Sequence, residues 1–456
     1  VVEPDLVSGY TGGVNDSELS RRSVDPRSNP PVKIALLGCG TVGGGVLRLL
    51  RENQESLTQK IGAPLVVKHV LVRDLSRPRV AECNREWLTT DPEVIFNDPE
   101  LDVVLELMGG EQPAKAYIER AIDRGLTVVT ANKFLMATYG PQLLKRASEK
   151  EVDLAFEASV GGGIPIIRTL RESLTGDKVE SIHGILNGTC NYILTRMRSA
   201  GVDFQKALYE AQQLGYAEAN PSLDVDGHDA AQKLIICSML AFGSNFSADA
   251  SPVEGITKID TTDFAAAERF GYTIKHLAVA RDLGEEISLH THPAFIPKKS
   301  VLANIDDVLN CVFIRGRGLG PCVIVGRGAG DLPTAVSVVA DLADVARSRI
   351  EDHRGLSTRA IRPHTRKLQP LSELESRYYL RFEVKNSPGV LAEIAGALGA
   401  HKVSIERMVQ EDAHESATVL MMTHRCKEGA LHRALDQLGP SKVLNGPPRF
   451  IRVEDI

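Results

Sequence analysis

Asp229 and Lys233 stand four apart in LDVDGHDAAQKL, the spacing that brings two side chains together on one face of a helix. The residues that follow, LIICSMLAF, offer no polar stripe, which undercuts an ordinary surface ion pair. Asp224, Asp226 and Asp229 precede the lysine and raise a metal loop as an alternative. A calcium loop of the EF-hand type needs a glutamate six positions after its glycine, and six after Gly227 is Lys233. What remains is a lysine in apolar surroundings. Burying it unpaired would cost on the order of several kcal/mol or drive it neutral, whereas Asp229 one turn earlier can keep it protonated and aimed. A proton donor needs that arrangement.

A second chemical signature lies near the start. The apolar run Val32–Leu37 (VKIALL) is followed by GCGTVGGGVLRLL, in which Gly38, Gly40 and Gly43, with Thr41 and Val42 between them, have the G-x-G-x-x-G spacing. Strand, turn and helix in that order predict a dinucleotide site: a tight turn, close backbone approach to a pyrophosphate, and close packing of helix on strand. The run Leu65–Val72 closes with Arg73 and Asp74, where the adenosine ribose is read. Arg73 leans the site towards NADP, Asp74 keeps NAD use open, and a merely solvated arginine loop with Arg77 and Arg79 is the plainer alternative.

These residues need a frame. Further apolar runs at 102–107 (DVVLEL), 127–130 (TVVT) and 153–158 (DLAFEA), separated by segments of helical character, predict an α/β fold with a doubly wound parallel sheet of Rossmann type over 32–157. Ligands then lie beyond the carboxyl ends of the strands, where MGGE, ANK and SVGGG fall. At the other end, YYLRFEV and the segments after it read as βαββαβ, a small ferredoxin-like module over 376–456. Residues 353–375 read as a linker and 1–31 as a flexible leader.

The chain's 456 residues, 43% of them hydrophobic, suffice for several cores, and a net charge of -6 argues against a nucleic-acid binder. The seven cysteines are scattered without a C-x-x-C pair, which argues against a disulfide framework or structural zinc. No apolar run reaches the roughly 20 residues that span a bilayer, so the expected setting is cytoplasmic, without a membrane partner. His290 and His292 (HTH) would share one side of a strand, but with no third ligand near them in sequence they read as structural.

The motifs GCGTVGGGV, VVTANK, FEASVGGGIPII, GILNGTCNYILT, LGYAEANPSLDVDGHDAAQKL and GRGAGDLPTA stand together in one order, and in them the chain resembles homoserine dehydrogenases with a C-terminal ACT domain over nearly all of 32–454. The resemblance implies reduction of aspartate 4-semialdehyde to homoserine by NADPH or NADH, on the route to threonine, methionine and isoleucine. In that chemistry, negative charge grows on the aldehyde oxygen and needs a cation or proton beside it. Lys233 resembles the family's acid-base residue and Lys133 its second lysine, by the nicotinamide. Glu218 matches the glutamate that holds the substrate amine, and Asp224 a further carboxylate near substrate. Asn187, Thr189 and Asn191 would border the substrate.

Backbone carbonyls around Glu157, Val160, Gly162 and Ile164 match the family's monovalent cation site, usually sodium. Gly328 and Gly330 match the segment that returns behind the cofactor, followed by a helix over 331–352. The region 158–330 would hold the substrate and a dimer-forming α+β domain, in a homodimer or homotetramer. Asn386, Ser387, Pro388 and Gly389 occupy the loop that approaches an amino-acid effector in ACT domains, threonine being the logical one. The chain departs from the pattern at Asn220, where aspartate is usual, and at Cys190, where threonine is commoner. A sequence with so short a leader is expected to be monofunctional. The same residues leave room for a dehydrogenase of another amino-acid aldehyde, or for a sensor without catalysis.

Overall fold

The computed structural model describes residues 26–247, 250–353, 366–413 and 416–456. Most of the expected leader (1–25) and part of the expected linker (354–365) lie outside the described residues.

The first sheet is all parallel. Its strands are β1 (Val32–Leu37), β2 (Leu65–Leu71), β3 (Leu88–Thr89), β4 (Val103–Glu106), β5 (Thr127–Thr130) and β6 (Leu154–Ala155), ordered β3-β2-β1-β4-β5-β6. Strands β4 and β5 are buried throughout, which explains why they read as unbroken apolar runs rather than alternating ones. The order reverses between β1 and β4, and there the sheet opens a crevice at its carboxyl ends. Two details differ from expectation. Strand β3 has two residues, too few for a periodic signal. The run DLAFEA forms only the two-residue β6. Beyond it the Glu157 carboxylate accepts the N–H groups of Ile167 and Arg168, both at 2.8 Å, while Glu157 N donates to Asp341 at 2.7 Å. These bonds turn the backbone out of the sheet.

The second sheet begins with β7 (Val179–Ile185), β8 (Tyr272–Asp282), β9 (Glu286–Pro297), β10 (Leu309–Gly316) and β11 (Gly320–Arg327), ordered β11-β10-β7-β8-β9. Helices Gly188–Ala200 and His228–Phe242 are inserted between β7 and β8. The second of these is packed between β8 and helix Lys133–Glu149 of the first domain. A helix covered on both sides needs no polar stripe, which accounts for LIICSMLAF.

The terminal module has the expected βαββαβ order, with β12 (Lys367–Leu368) ahead of it, then β13 (Glu375–Lys385), helix Val390–Ala400, β14 (Ile405–Ala413), β15 (Ser416–Thr423), β16 (Cys426–Lys427), helix Glu428–Leu438 and β17 (Arg449–Val453). It is not detached. Strand β17 pairs in parallel with β9 (Arg452 with Ala294, Val453 with Phe295), so the second sheet continues as β9-β17-β13-β15-β14. The end of the expected linker also joins it, since β12 pairs with β9. No helix among the described residues is long and apolar enough to cross a membrane.

Candidate active site

Asp229 is the centre of a polar cluster at the meeting of the two sheets. It lies in the first turn of helix His228–Phe242 and is 2% exposed; Lys233, one turn on, is 8% exposed. Lys233 Nζ donates to Asp229 Oδ2 at 2.8 Å and to the Leu186 carbonyl, just past β7, at 2.7 Å. An ammonium has three N–H groups, so one remains for a ligand. The other oxygen, Asp229 Oδ1, pairs with Lys133 Nζ, which reaches in from the opposite domain. Lys133 is the more open of the two, its side chain 35% exposed.

Lys133 starts helix Lys133–Glu149 at the mouth of β5. Asn132 caps that helix by accepting Leu135 N at 3.1 Å, and its amide donates to the Gly110 carbonyl at 2.8 Å. Beneath it, Thr130 Oγ1 donates to the buried Glu106 carboxylate at 2.6 Å, and Glu106 also accepts the N–H groups of Met108 and Gly109. Glu106 thus ties the MGGE loop to the ANK loop. An acid inside the run DVVLEL is the sequence signal that could have found it.

Asn187 links the cluster to the substrate side. Its side-chain oxygen caps helix Gly188–Ala200 through Cys190 N at 2.8 Å, and its amide donates to Asp229 Oδ2 at 2.9 Å and Asp224 Oδ1 at 2.7 Å. The two carboxylates are not alike. Burial would raise the Asp229 pKa, but Lys233 and Lys133 outweigh it and hold the carboxyl well below the usual range. Asp224 is raised, by burial first and with the charge of Asp229 adding to it. Thr189 Oγ1 donates to the Tyr216 carbonyl at 2.6 Å, so it fixes the loop that carries Glu218. Glu218 itself is exposed, with its backbone carbonyl accepting from Gln212 at 3.1 Å. Asn191 faces away, donating to the carbonyls of Ile305 and Leu309 at 3.0 and 3.2 Å.

At the two departures from the family pattern, local bonding is intact. Cys190 Sγ donates to the Asp224 carbonyl at 3.1 Å. The Asn220 side chain accepts from Ser222 N and Oγ at 3.3 and 2.8 Å.

The glycine turn follows β1 directly. A Cβ on Gly43 would stand 2.6 Å from the Gly38 carbonyl, so only glycine lets the helix start this close to the strand. A Cβ on Gly40 would meet nothing within 4 Å, so the space over it is open. Gly40 is the N-cap of helix Thr41–Glu52 without any side-chain capping bond, so the helix start is free for an anion. This fits a dinucleotide. Arg73, two residues past the end of β2, is exposed. Arg79 touches the turn instead, donating to the carbonyls of Cys39 at 2.8 Å and Asp74 at 2.9 Å. Its contribution was not readable from a loop with three arginines.

The return segment closes behind this turn. A Cβ on Gly162 would stand 2.6 Å from the Gly328 backbone, one on Gly328 would strike the Asn310 side chain, and Gly330 caps helix Asp331–Ile350, which packs on helix Thr41–Glu52. The Gly162 carbonyl accepts from Ser337 Oγ at 2.6 Å, the Ile164 carbonyl from Ile166 N at 2.8 Å and the Glu157 carbonyl from Val160 N at 3.3 Å. Each such oxygen keeps a second lone pair. In the terminal module, Asn386, Ser387, Pro388 and Gly389 line a cavity of about 220 Å³ with Val390, Leu391 and Gln410.

Known proteins resemble this chain along most of its length. Residues 38–157 match the family model of the homoserine dehydrogenase NAD binding domain, residues 165–343 that of homoserine dehydrogenase, and residues 378–439 that of the ACT domain. Homoserine dehydrogenases of Neisseria gonorrhoeae and Pseudomonas aeruginosa are each 40% identical, over 93% of this chain and 99% of theirs. The crystal structure of a Thiobacillus denitrificans homoserine dehydrogenase superposes with a TM-score of 0.89 at 40% identity, covering 93% of this chain and 99% of that one. A hyperthermophilic archaeal homoserine dehydrogenase in complex with NADPH matches at 25% identity and a TM-score of 0.59, over 69% of this chain and 98% of its own. On these matches, which together span nearly the whole chain, it belongs to the homoserine dehydrogenase family, NAD(P)-dependent oxidoreductases acting on a CH–OH group, and carries an ACT domain at its carboxyl end.

Proposed function

We propose that the chain reversibly reduces L-aspartate 4-semialdehyde to L-homoserine where Lys133, Asp229 and Lys233 meet. The observation that carries this reading is the buried Asp229 carboxylate bonded by two ammonium groups, one from each side of the crevice. Asp229 is the shared counter-ion of both lysines and fixes their direction. Lys233, with two N–H groups engaged, offers the third to the carbonyl oxygen, stabilises the charge that grows there and supplies the proton. Lys133 is the second cation at that oxygen. When bound, the nicotinamide supplies the hydride to the carbonyl carbon.

Gly38, Gly40, Thr41, Val42 and Gly43 hold the pyrophosphate, Arg73 faces the adenosine ribose, and Gly328 and Gly330 back the cofactor. Glu218 and Asp224 receive the substrate ammonium. Burial raises the Asp224 carboxyl, and an ammonium arriving beside it would act in the opposite sense. Asn187 and Thr189 hold the walls. A sodium ion on the carbonyls around Glu157, Val160, Gly162 and Ile164 would stiffen the hinge between cofactor and substrate regions. Asn386–Gly389 receive an amino-acid effector, threonine, and the enzyme works in the cytoplasm as a homodimer or homotetramer. The test follows the absorbance of NADPH and of NADH with aspartate 4-semialdehyde, with and without threonine. Retained turnover in Lys233→Ala removes that lysine from the mechanism, and indifference to threonine with both cofactors removes the effector.

A further inference from the structure

His290 and His292 occupy alternate positions of β9 and project to one face of the sheet. Both are buried, with rings stacked 4.8 Å apart between centroids. Neither ring nitrogen of His290 has a hydrogen-bond partner among the described residues, and Nε2 of His292 has none either. His292 Nδ1 lies 2.9 Å from the Pro293 carbonyl, which can only accept, so in the neutral ring Nδ1 carries the proton and Nε2 presents a lone pair. That lone pair faces a carboxylate, with Glu454 Oε1 3.8 Å away. Glu454 comes from the far end of the chain, just past β17, anchored by its N–H on the Phe295 carbonyl at 2.9 Å. Two acceptors facing each other in a dry interior are costly unless something positive lies between them.

We propose that His290, His292 and Glu454 form a binding site for a divalent transition-metal cation of the zinc class. Their ligand atoms lie within 4.8 Å of one another, and two imidazoles with one carboxylate are a donor set such ions accept. Zinc–nitrogen distances of about 2.0–2.1 Å require the three side chains to close on the ion by roughly 1 Å. The surrounding bonds suit that. The Pro293 carbonyl orients His292, and Arg281 pairs with Oε2 of Glu454, which leaves Oε1 for the ion. The charge of Arg452 is matched by Glu254 and Glu428, whereas Arg281 would share the Glu454 carboxylate with the ion. A cavity of about 260 Å³, lined by His183, Arg281, Glu454 and Ile456 among others, borders the site on its carboxylate side. An ion here ties β9 of the substrate sheet to the last residues of the ACT module. The third ligand is invisible in sequence because it lies far from the HTH pair along the chain.

The full chain, stripped by a chelator, is titrated with cobalt(II), whose visible d–d bands report tetrahedral ligation, and with zinc(II) by calorimetry. One ion per chain is expected, with a thermal midpoint raised by on the order of several degrees at saturating zinc. His290→Phe keeps a stacked ring and gives up no hydrogen bond, so it should fold and should weaken zinc binding by about 100-fold or more. No cobalt bands and no zinc uptake overturn the site. So does binding that is unchanged in His290→Phe, or nitrogen NMR showing His292 doubly protonated at neutral pH in protein that takes up no metal.

Discussion

Asp229 would be an expensive residue in isolation, because its buried charge is favourable only through its neighbours. The same carboxylate serves both lysines, so changes on either side of it should differ in kind. Lys233→Met removes the proposed proton donor while Lys133 still pairs with Asp229; kcat should fall by roughly 10²–10⁴-fold with KM for aspartate 4-semialdehyde changing little. Asp229→Asn keeps the shape but leaves two buried or half-buried ammonium groups without their anion, so stability should fall together with kcat. Steady-state kinetics beside urea unfolding separates the two. If Lys233→Met raises KM and spares kcat, the lysine binds substrate rather than serving the reaction. At this scale the Asp229–Lys233 pair was readable, because its spacing is local and its apolar context unusual. The Lys133 contact was not readable from spacing, since 96 positions separate it from Asp229 and only the folding of one domain onto the other brings them together.

The elements that place these residues follow from short-range rules where strands are long and from tertiary bonds where they are not. Strand β1 and its glycine turn were legible residue by residue, since an apolar run and a fixed glycine spacing are both local. Strand β6 was not, because bonds from Glu157 to Ile167, Arg168 and Asp341 end it early. The terminal module was legible as βαββαβ but not as a continuation of the substrate sheet, a pairing that β9 and β17 make across a long separation. The glycine turn itself yields a paired prediction. In Gly43→Ala the new methyl would strike the Gly38 carbonyl, so helix and strand must separate and both stability and cofactor affinity should drop. In Gly40→Ala the methyl meets no protein atom, so thermal stability should hold within about 0.5 kcal/mol while cofactor affinity falls by roughly 10-fold or more. Nucleotide titration by fluorescence with thermal melts checks both, and normal affinity in Gly40→Ala would mean that the pyrophosphate lies elsewhere.

Over the whole molecule, one sheet carries strands of the substrate region and of the ACT module, and its junction is rich in buried charge. Arg452 is fully buried and its guanidinium pairs with Glu428 of the module's second helix and with Glu254 on the substrate side. Arg452→Met leaves Glu428 buried without its cation and should cost about 3–5 kcal/mol in urea unfolding. Acid should strain the same junction through His183 of β7, which faces Arg281 and Glu454. Burial lowers its pKa from 6.5 to about 3, with the charges of Arg281 and Arg315 adding to the effect. The folded imidazole therefore stays neutral where the unfolded one takes a proton. Its contribution to stability is whole above about pH 6.5 and is lost progressively as the pH falls from there towards about 3, at roughly 1.4 kcal/mol per pH unit. Wild type and His183→Gln, unfolded in urea across that window, should differ by a constant above about pH 7 and then diverge in favour of the variant as the solution is acidified. A difference that stays flat with pH would mean that His183 binds protons alike in both states, and that the junction is open to water in solution.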